Sequence, residues 1–535
     1  MTNGKKRFIA AVLVAATLVG VFACCGVALS VNNALFKSNT PTYMKLGTSL
    51  VGQITSKNDY EAYIFDVPAN GALTICLEHE NYTDPAKSGW LVTLYKLTDT
   101  SKKTQKNQKE LAYYESAWID ITSDWDPVGV TKGTYCVVVT PGLYFMKSEF
   151  TLKTTFTKSD SYEKEPNDTK STATSIPVGY GKKGISSNRK EGIDIDWFAF
   201  SLSQDSCVNI SFNHPDGTFP VVGWTVTLYN ESSQKITQFT SRLTDVILKT
   251  GKIGLKAGKY HISVEAQNDS ADDYTLLVGS EKAENFEFEM NDTPSNATPL
   301  PKGKSISGSL ADRLLSLDKD YYKFKVTGNG YVNLVFTHEA QKGDKNGWNI
   351  RILKPTSDGK YTEIVRKISK WNNDTLKIKN LGLAPGEYYV LIDGDSMAYN
   401  SSTYTVKWSF YEKANFEREP NSTKKNCQTI DLKTHYHGAI ISSDVTYDED
   451  YYKFKLTSTK NVCVEFEHDY NSGSKVCWNI SIIDDKGKVR SEITSALNES
   501  LVSTGIVKLP AGVYYVKIET GMYGSELPYK FRLVG

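Results

Sequence analysis

The chain has little of what marks several common protein classes. Its 535 residues include only 17 Pro and 38 Gly, which excludes a collagen-like chain, and the 40% of hydrophobic residues can form buried cores. An excess of charge of one sign is also missing, since 62 Lys and Arg against 61 Asp and Glu leave a net charge of +1. A surface that binds nucleic acid or another polyanion is therefore not expected.

The 8 cysteines are too few and too unevenly spaced for a repeated disulfide framework. None forms a CxxC pair, which argues against a zinc ribbon and against a redox motif. We expect free, singly placed thiols.

Catalytic motifs are missing as well. The sequence contains no HExxH helix, no GxSxG elbow and no Walker loop. Residues 179–184 fit GxGxxG, but no helix is predicted after them, so we expect a turn there. His435 and His437 share one face of a predicted strand, yet no third metal ligand is evident. We predict that the protein is not an enzyme.

A single long hydrophobic run is present, at the N-terminus. Three basic residues at 5–7 precede 22 uncharged, mostly apolar residues, Phe8–Leu29, which as a helix would be about 33 Å long and able to span a bilayer. We expect an uncleaved signal anchor. A cleaved signal peptide with a small-residue site at 26–30 is the alternative, and a lipoprotein signal at Cys24 or Cys25 is the third. Each places the remaining chain at the extracellular face of the membrane or secretes it.

What the chain does contain is a repeat of 124 to 134 residues, marked by four tryptophans: Trp90, Trp224, Trp348 and Trp478. A His stands ten or eleven residues before each of them, at the end of a run of alternating hydrophobicity that predicts a β-strand. A Gly-x-Tyr turn and a closing β-rich run follow in each copy. The four histidines lie in phase with inward residues, so we expect them to be buried and hydrogen-bonded instead of binding metal: His79, His214, His338 and His468.

This repeat predicts an all-β protein of four tandem β-sandwich domains. We expect each domain to fold on its own, like a bead on a string. The predicted segments are a signal anchor or signal peptide at 1–29, a linker at 30–40, and domains 1 to 4 at 41–157, 158–282, 283–412 and 413–535.

Domains 2, 3 and 4 share a pattern of acidic residues. Each opens with an aromatic-Glu-x-Glu-x-Asn stretch, and about thirty residues later an Asp-x-Asp begins a strand. Hard oxygen donors that converge from two segments suit Ca²⁺, whereas a single such stretch would be read as solvated loop acids. The predicted ligands are Glu163, Glu165, Asn167, Asp168, Asp194, Asp196, Glu287, Glu289, Asn291, Asp292, Asp318, Asp320, Glu417, Glu419, Asn421, Asp448 and Asp450.

The predicted sites differ in their expected affinity for Ca²⁺. Domains 2 and 3 have a final acid in the opening stretch, Asp168 and Asp292, and we expect both to bind Ca²⁺. Ser422 replaces that acid in domain 4 and predicts a weaker site. Domain 1 has only Asp59 and Glu61, with no acidic opening, and predicts no site of this kind.

These stretches resemble the bacterial pre-peptidase C-terminal (PPC) domain, a family related to the collagen-binding domains of clostridial collagenases. The resemblance rests on Glu-x-Glu-Pro-Asn-Asp at 163–168, Asp-x-Asp-Tyr-Tyr-x-Phe at 318–324 and Pro-Gly-x-Tyr-Tyr-Val at 385–390. It covers 158–535 well, and 41–157 only through the later motifs. It implies a jelly-roll-like β-sandwich, Ca²⁺ bound by the opening acids and the Asp pair, and an accessory role beside peptidases.

We therefore expect a non-catalytic, cell-surface-tethered, calcium-binding adhesion protein, held in the membrane by its N-terminal helix if that helix is uncleaved. Its extracellular ligand would be a repetitive polymer, either a collagen-like protein or a polysaccharide, because repeated weak sites gain avidity on a repetitive target. Outward tyrosines such as Tyr321, Tyr389, Tyr451 and Tyr515 either stack on the ligand or are ordinary strand residues. A structural spacer and an accessory subunit of a separately encoded secreted peptidase are the alternatives.

Overall fold

The computed structural model describes residues 41–80, 88–98, 108–144, 147–187, 189, 194–267, 273–311, 318–394, 401–441, 444 and 448–535. The predicted signal anchor and linker at 1–40, with the lipoprotein alternative, lie outside the described residues. Within those ranges no helix is long and apolar enough to cross a membrane. A short 3₁₀ helix, Pro294–Asn296, is the helical structure found there.

The prediction of an all-β protein of sandwich domains is confirmed, since the described strands form eight sheets that pair around hydrophobic cores. Domain 1 contains β1 (Thr42–Tyr43), β2 (Ser49–Ile54), β3 (Glu61–Val67), β4 (Gly71–His79), β5 (Ser88–Leu97), β6 (Gln108–Ala117), β7 (Thr122–Asp124), β8 (Val128–Val130), β9 (Gly133–Pro141) and β10 (Ser148–Lys158). Domain 2 contains β11 (Thr174–Ser175), β12 (Gly181–Ile185), β13 (Ile195–Leu202), β14 (Ser206–Asn213), β15 (Val222–Asn230), β16 (Lys235–Arg242), β17 (Ile247–Lys249), β18 (Ile253–Leu255), β19 (Gly258–Ala266) and β20 (Asp273–Lys282).

The second half of the chain repeats this order of strands. Domain 3 contains β21 (Thr298–Pro299), β22 (Ser305–Gly308), β23 (Lys319–Val326), β24 (Gly330–His338), β25 (Asn346–Pro355), β26 (Tyr361–Lys370), β27 (Thr375–Leu383), β28 (Gly386–Gly394) and β29 (Tyr404–Glu412). Domain 4 contains β30 (Gln428–Thr429), β31 (His435–Gly438), β32 (Glu449–Leu456), β33 (Lys460–His468), β34 (Val476–Asp484), β35 (Val489–Ala496), β36 (Leu501–Ser503), β37 (Val507–Leu509), β38 (Gly512–Thr520) and β39 (Tyr529–Val534).

Each domain has the same sheet topology. In domain 2 the sheets run β11-β13-β19-β15-β16 and β12-β20-β14-β17, with β18 also paired to β14. The short first strand pairs in parallel with the strand that carries the Asp-x-Asp motif, and the other described ladders are antiparallel. In domain 3 one longer strand, β27, replaces the two short strands β17 and β18. The Asp-x-Asp strand therefore lies near one edge of its sheet, next to the segment that opens the domain.

The inward residues form the cores as the alternation predicts. Along β24 the burial alternates residue by residue, and Trp348 on β25 is fully buried. His338 stacks on Trp348 with ring centroids 4.1 Å apart, while its Nε2 and Nδ1 lie 3.0 Å from Ser369 Oγ and 2.9 Å from the Glu339 carbonyl. Equivalent contacts in the other domains show that these histidines are structural. All six described cysteines are free thiols.

Consecutive domains share contacts, so they are not separate beads, and independent folding of each domain stays a prediction. Ala439 and Ile441 of domain 4 belong to the hydrophobic core of domain 3. The second Glu of each acidic opening donates its backbone N–H to a glycine carbonyl of the preceding domain: Glu165 to Gly129 at 3.1 Å, Glu289 to Gly254 at 2.9 Å and Glu419 to Gly382 at 2.9 Å. A Cβ at any of these glycines would overlap the carbonyl oxygen of the first Glu of the opening. The domains therefore meet at their acidic segments.

Candidate metal centres

The acidic openings of domains 2, 3 and 4 are held by backbone hydrogen bonds on several sides. In domain 2, Glu163 N donates to Lys183 O on β12 at 2.8 Å, and Trp197 N on β13 donates to Asn167 O at 3.1 Å. The bond from Glu165 to the preceding domain completes this frame. The same three bonds recur at the openings of domains 3 and 4. The frame directs the Glu and Asn side chains toward the Asp-x-Asp strand.

The structure brings most of the predicted carboxylate ligands together in groups of three, and the predicted ligands Glu287, Asp320 and Asp448 belong to none of these groups. Groups of three carboxylates have oxygen atoms that all lie within 4.8 Å of one another. We call the first domain 2 group the inner group and the second the outer group; Glu165 belongs to both. The groups are Glu163, Glu165 and Asp196; Glu165, Asp168 and Asp194; Glu289, Asp292 and Asp318; and Glu417, Glu419 and Asp450.

Fixed donors orient the buried carboxylates. In domain 4, Glu417 Oε1 accepts a hydrogen bond from Ala439 N at 2.8 Å, and its Oε2 accepts one from Tyr452 Oη at 3.0 Å. Tyr529 Oη donates to Asp450 Oδ2 at 2.5 Å. In domain 3 the corresponding donors are Ser309 N to Glu287, Tyr322 Oη to Glu287 and Tyr404 Oη to Asp320. In domain 2 they are Ile185 N to Glu163 and Tyr274 Oη to Asp196.

Several oxygens of these clusters are buried without a hydrogen-bond partner. The Oδ1 atoms of the Asn and of the second Asp are unpartnered in all three domains, on residues that are 0% exposed. One oxygen of the second Glu is also unpartnered in domains 2 and 4. These atoms belong to Asn167, Asp196, Glu165, Asn291, Asp320, Asn421, Asp450 and Glu419. A buried acceptor without a donor costs about 1–3 kcal/mol, so a bound cation fits this donor set.

Burial changes the protonation of the clusters. It raises the pKa of Glu163 and of Glu287 to about 8 and the pKa of Asp194 and of Asp448 to about 6. The pKa values of the second Asp of the motif are raised well above the usual value in all three domains, first by burial and then mostly by neighbouring carboxylates. Without a bound cation, burial therefore favours the protonated, uncharged form of these carboxyl groups.

Domain 2 contains a cation of its own that the sequence reasoning missed. The Arg189 guanidinium Nη2 lies 2.5 Å from Asp194 Oδ1, 3.0 Å from Asp168 Oδ1 and 3.3 Å from Glu165 Oε2. Its Nη1 donates to the Glu110 carbonyl of domain 1 at 2.6 Å. The sequence signal was an arginine five residues before the Asp-x-Asp motif.

The tyrosines beneath the clusters were also missed as site residues. Tyr274, Tyr404 and Tyr529 occupy the same position of the closing strand in the three acidic domains, whereas domain 1 has Phe150 there. A hydroxyl at this position therefore occurs together with the acids. Comparing the four closing strands would have identified it.

Domain 1 shows the same backbone turn without the cluster. Asp59 Oδ2 accepts hydrogen bonds from Thr55 N at 2.8 Å and from Thr55 Oγ1 at 2.7 Å. The first Asp of the motif makes the equivalent backbone contact in the other domains. Among the described residues, neither Asp59 nor Glu61 belongs to a group of three acids.

The outward tyrosines are not a free aromatic surface. Tyr389 and Tyr515 are only 6% and 8% exposed, and Tyr321 and Tyr451 are partly buried. Tyr389 packs with Leu353 on the outer face of its sheet. The option of a shared, ligand-stacking tyrosine surface is therefore wrong for Tyr389 and Tyr515, because other side chains cover the outer face.

No protein-family profile matches the chain. Among solved structures, the chain is similar to the pre-peptidase C-terminal domain of a collagenase from Bacillus anthracis, at 14% identity and a TM-score of 0.18 over 22% of this chain and 97% of that chain. It is also similar to the CUB1-EGF-CUB2 domains of rat MASP-1, at 9% identity and a TM-score of 0.15 over 44% and 99%, and to PNGF-II, at 10% and 0.18 over 83% and 98%. Values this low carry no argument about function.

Proposed function

We propose that the protein is a non-catalytic, extracellular, calcium-binding adhesion protein whose acidic domains are jelly-roll-like sandwiches of the PPC type. The observation that carries the calcium assignment is the threefold recurrence of buried, unpartnered Asn and Asp oxygens in one backbone frame. The sequence motifs support the PPC assignment. The N-terminal hydrophobic run supports export and a membrane tether.

The donor chemistry favours Ca²⁺ over a transition metal. Each described cluster offers carboxylate and amide oxygens, and the acidic groups contain no His or Cys. Hard oxygen donors suit Ca²⁺, which takes six to eight of them, whereas thiolate and imidazole suit zinc and copper. In domain 4, Glu417, Glu419, Asn421 and Asp450 would hold the ion.

Loop tips offer a surface for the ligand. Exposed apolar side chains lie in or beside the loops at the Trp end of three domains, where they are available to a partner. They are Ile119, Ile121, Leu143 and Tyr144 in domain 1, Phe219, Val221, Val246 and Ile247 in domain 2, and Tyr470, Leu501, Met522 and Tyr523 in domain 4. Repetition of such tips along one chain suits a repetitive polymer, either a collagen-like protein or a polysaccharide.

Two measurements test this proposal. Calorimetric titration of the full chain should show saturable Ca²⁺ binding that is lost in a triple variant, Asp196→Asn, Asp320→Asn and Asp450→Asn. Retention of the chain on collagen, peptidoglycan and polysaccharide columns, with Ca²⁺ and with chelator, tests adhesion. A chain that binds no Ca²⁺ contradicts the calcium assignment, and a chain retained on none of the columns contradicts the adhesion role.

A structural spacer is the second candidate, and the contacts between domains favour it. The bonds from the acidic openings to Gly129, Gly254 and Gly382 join all four domains. A spacer predicts that replacing loop-tip residues such as Phe219 and Tyr470 by Ser leaves every interaction of the protein unchanged. An adhesion protein predicts weaker retention of the same variants.

A further inference from the structure

Arg189 lies where a metal ion would otherwise balance the charge of the outer group. Its side chain is 5% exposed, and one nitrogen contacts all three carboxylates of that group within 3.3 Å. Lys109 of domain 1 also contacts Asp168, at 2.9 Å, but its side chain is 48% exposed. Solvent screens the exposed charge of Lys109 more than the buried charge of Arg189. Arg189 therefore supplies most of the positive charge that balances the three carboxylates.

Arg189 also weakens the affinity of the inner group for a metal ion. Glu165 belongs to both groups, and its Oε2 is the atom that Arg189 contacts. A divalent cation bound by Glu163, Glu165 and Asp196 would therefore share Glu165 with the guanidinium and be repelled by it. The repulsion is strong because the residues are buried.

Domain 4 lacks this arrangement. Among the described residues, no Lys, Arg or His forms an ion pair with Glu417, Glu419 or Asp450, although the charge of Lys354 of domain 3 acts on Glu419 without pairing with it. Ser422 stands in place of Asp168 and donates a hydrogen bond to Asp448. In the sequence, Ser443 stands in place of Arg189, five residues before the motif. The acid and the arginine are thus replaced together.

We propose that Arg189 is the resident cation of the domain 2 cluster, that it weakens Ca²⁺ binding there, and that it fastens the cluster to domain 1. Domain 4, which keeps its buried unpartnered oxygens without such a cation, is then the tighter Ca²⁺ site. This reverses the order expected from the number of acids. The inference rests on the proposed calcium function and adds which domain binds Ca²⁺ more tightly.

The test uses the full chain with the sites of domains 3 and 4 removed by Asp320→Asn and Asp450→Asn. Into this background we introduce Arg189→Ser, and separately the pair Asp168→Ser and Arg189→Ser, which reproduces the residues of domain 4 without changing the net charge. Lys109→Ala is the control, since it removes one positive charge that contacts the same carboxylate. Calorimetric titration with Ca²⁺ measures the affinity, and circular dichroism checks that each variant is folded.

Both Arg189 variants should bind Ca²⁺ at least tenfold more tightly than the background, while Lys109→Ala should change the affinity by less than threefold. If a folded Ser/Ser variant binds no better than the background, the inference is overturned. The parent chain is titrated in parallel. Absence of Ca²⁺ binding by the parent overturns the proposed calcium function, whereas binding by the parent with no gain from either Arg189 variant overturns this inference alone.

Discussion

Domains 2 and 4 have equivalent strands, an equivalent Trp and His in the core and the same backbone frame around the acidic opening. The negative charge of their carboxylate clusters is nevertheless neutralised differently. Domain 2 has one more carboxyl group, Asp168, together with Arg189, so the two clusters have the same formal net charge. Domain 4 has neither residue and offers buried oxygens without an ion pair. Under the proposal, the number of acids alone does not rank the metal sites, because domain 2 already supplies a cation of its own.

The largest expected effect is from Asp450→Asn. Removing this charged ligand should weaken Ca²⁺ binding at domain 4 by about 100-fold, which is about 2.8 kcal/mol. Asp196→Asn in domain 2 should cost less, because Arg189 already limits binding there. Calorimetric titration of the full chain measures both, with the exposed Asp485→Asn as the control. An equal loss for the two site variants would contradict the account.

The junction of domains 1 and 2 tests whether Arg189 fastens the two domains together. Gly382→Ala and Gly129→Ala each place a Cβ against a carbonyl of the next domain, and overpacking of this kind costs about 1–3 kcal/mol. The junction of domains 3 and 4 has its own extra bonds, from Lys367 and Asn380 to Glu526, so the effect of Arg189 is measured within the junction of domains 1 and 2, where it bonds Glu110. Gly129→Ala should loosen the domain 2 opening less in the parent chain than in combination with Arg189→Ser. Hydrogen exchange at the domain 2 opening measures the loosening.

Gly524→Ala is the control for these variants, because no atom lies within 4 Å of the added Cβ. Equal exchange at the domain 2 opening in Gly129→Ala and in Gly129→Ala combined with Arg189→Ser would reject the fastening role of Arg189.

A smaller effect is expected from Tyr529→Phe. Its hydroxyl donates to Asp450 at 2.5 Å and lies 3.2 Å from Glu417 Oε2, and a hydrogen bond to a charged group is worth about 1.5–3 kcal/mol. Loss of this donor should lower the Ca²⁺ affinity of domain 4 about tenfold. Tyr514→Phe is the control, because that hydroxyl bonds the Pro510 carbonyl outside the site. Unchanged affinity in Tyr529→Phe would remove the tyrosine from the site.

The smallest effect is from Lys109→Ala. The ion pair with Asp168 is half exposed on the Lys side, and such pairs contribute about 0–1 kcal/mol. Thermal melting of the full chain should show a smaller loss than Arg189→Ser gives. A larger loss for Lys109→Ala would mean that the exposed lysine, and not the buried arginine, balances the cluster.

The sequence predicted the features that depend on short-range pattern. Alternating hydrophobicity predicted the strands. The repeated spacing between the acidic opening, with Glu163, and the Asp-x-Asp motif, with Asp196, predicted that these acids converge. The contacts of Arg189 and Gly129 were not predictable, because they depend on how a loop and a neighbouring domain pack in space. The burial of Tyr389 was not predictable for the same reason. Alternation predicts on which face of the sheet a residue lies, but not which side chains cover that face.

The most direct test of the central claim is hydrogen exchange on the full chain, with Ca²⁺ and with chelator, followed at residues 163–168 and 417–422. The account predicts that Ca²⁺ strongly slows exchange at 417–422 and changes exchange at 163–168 little, because Arg189 already holds the domain 2 opening in place. Equal slowing of the two segments, or slowing confined to 163–168, would contradict it.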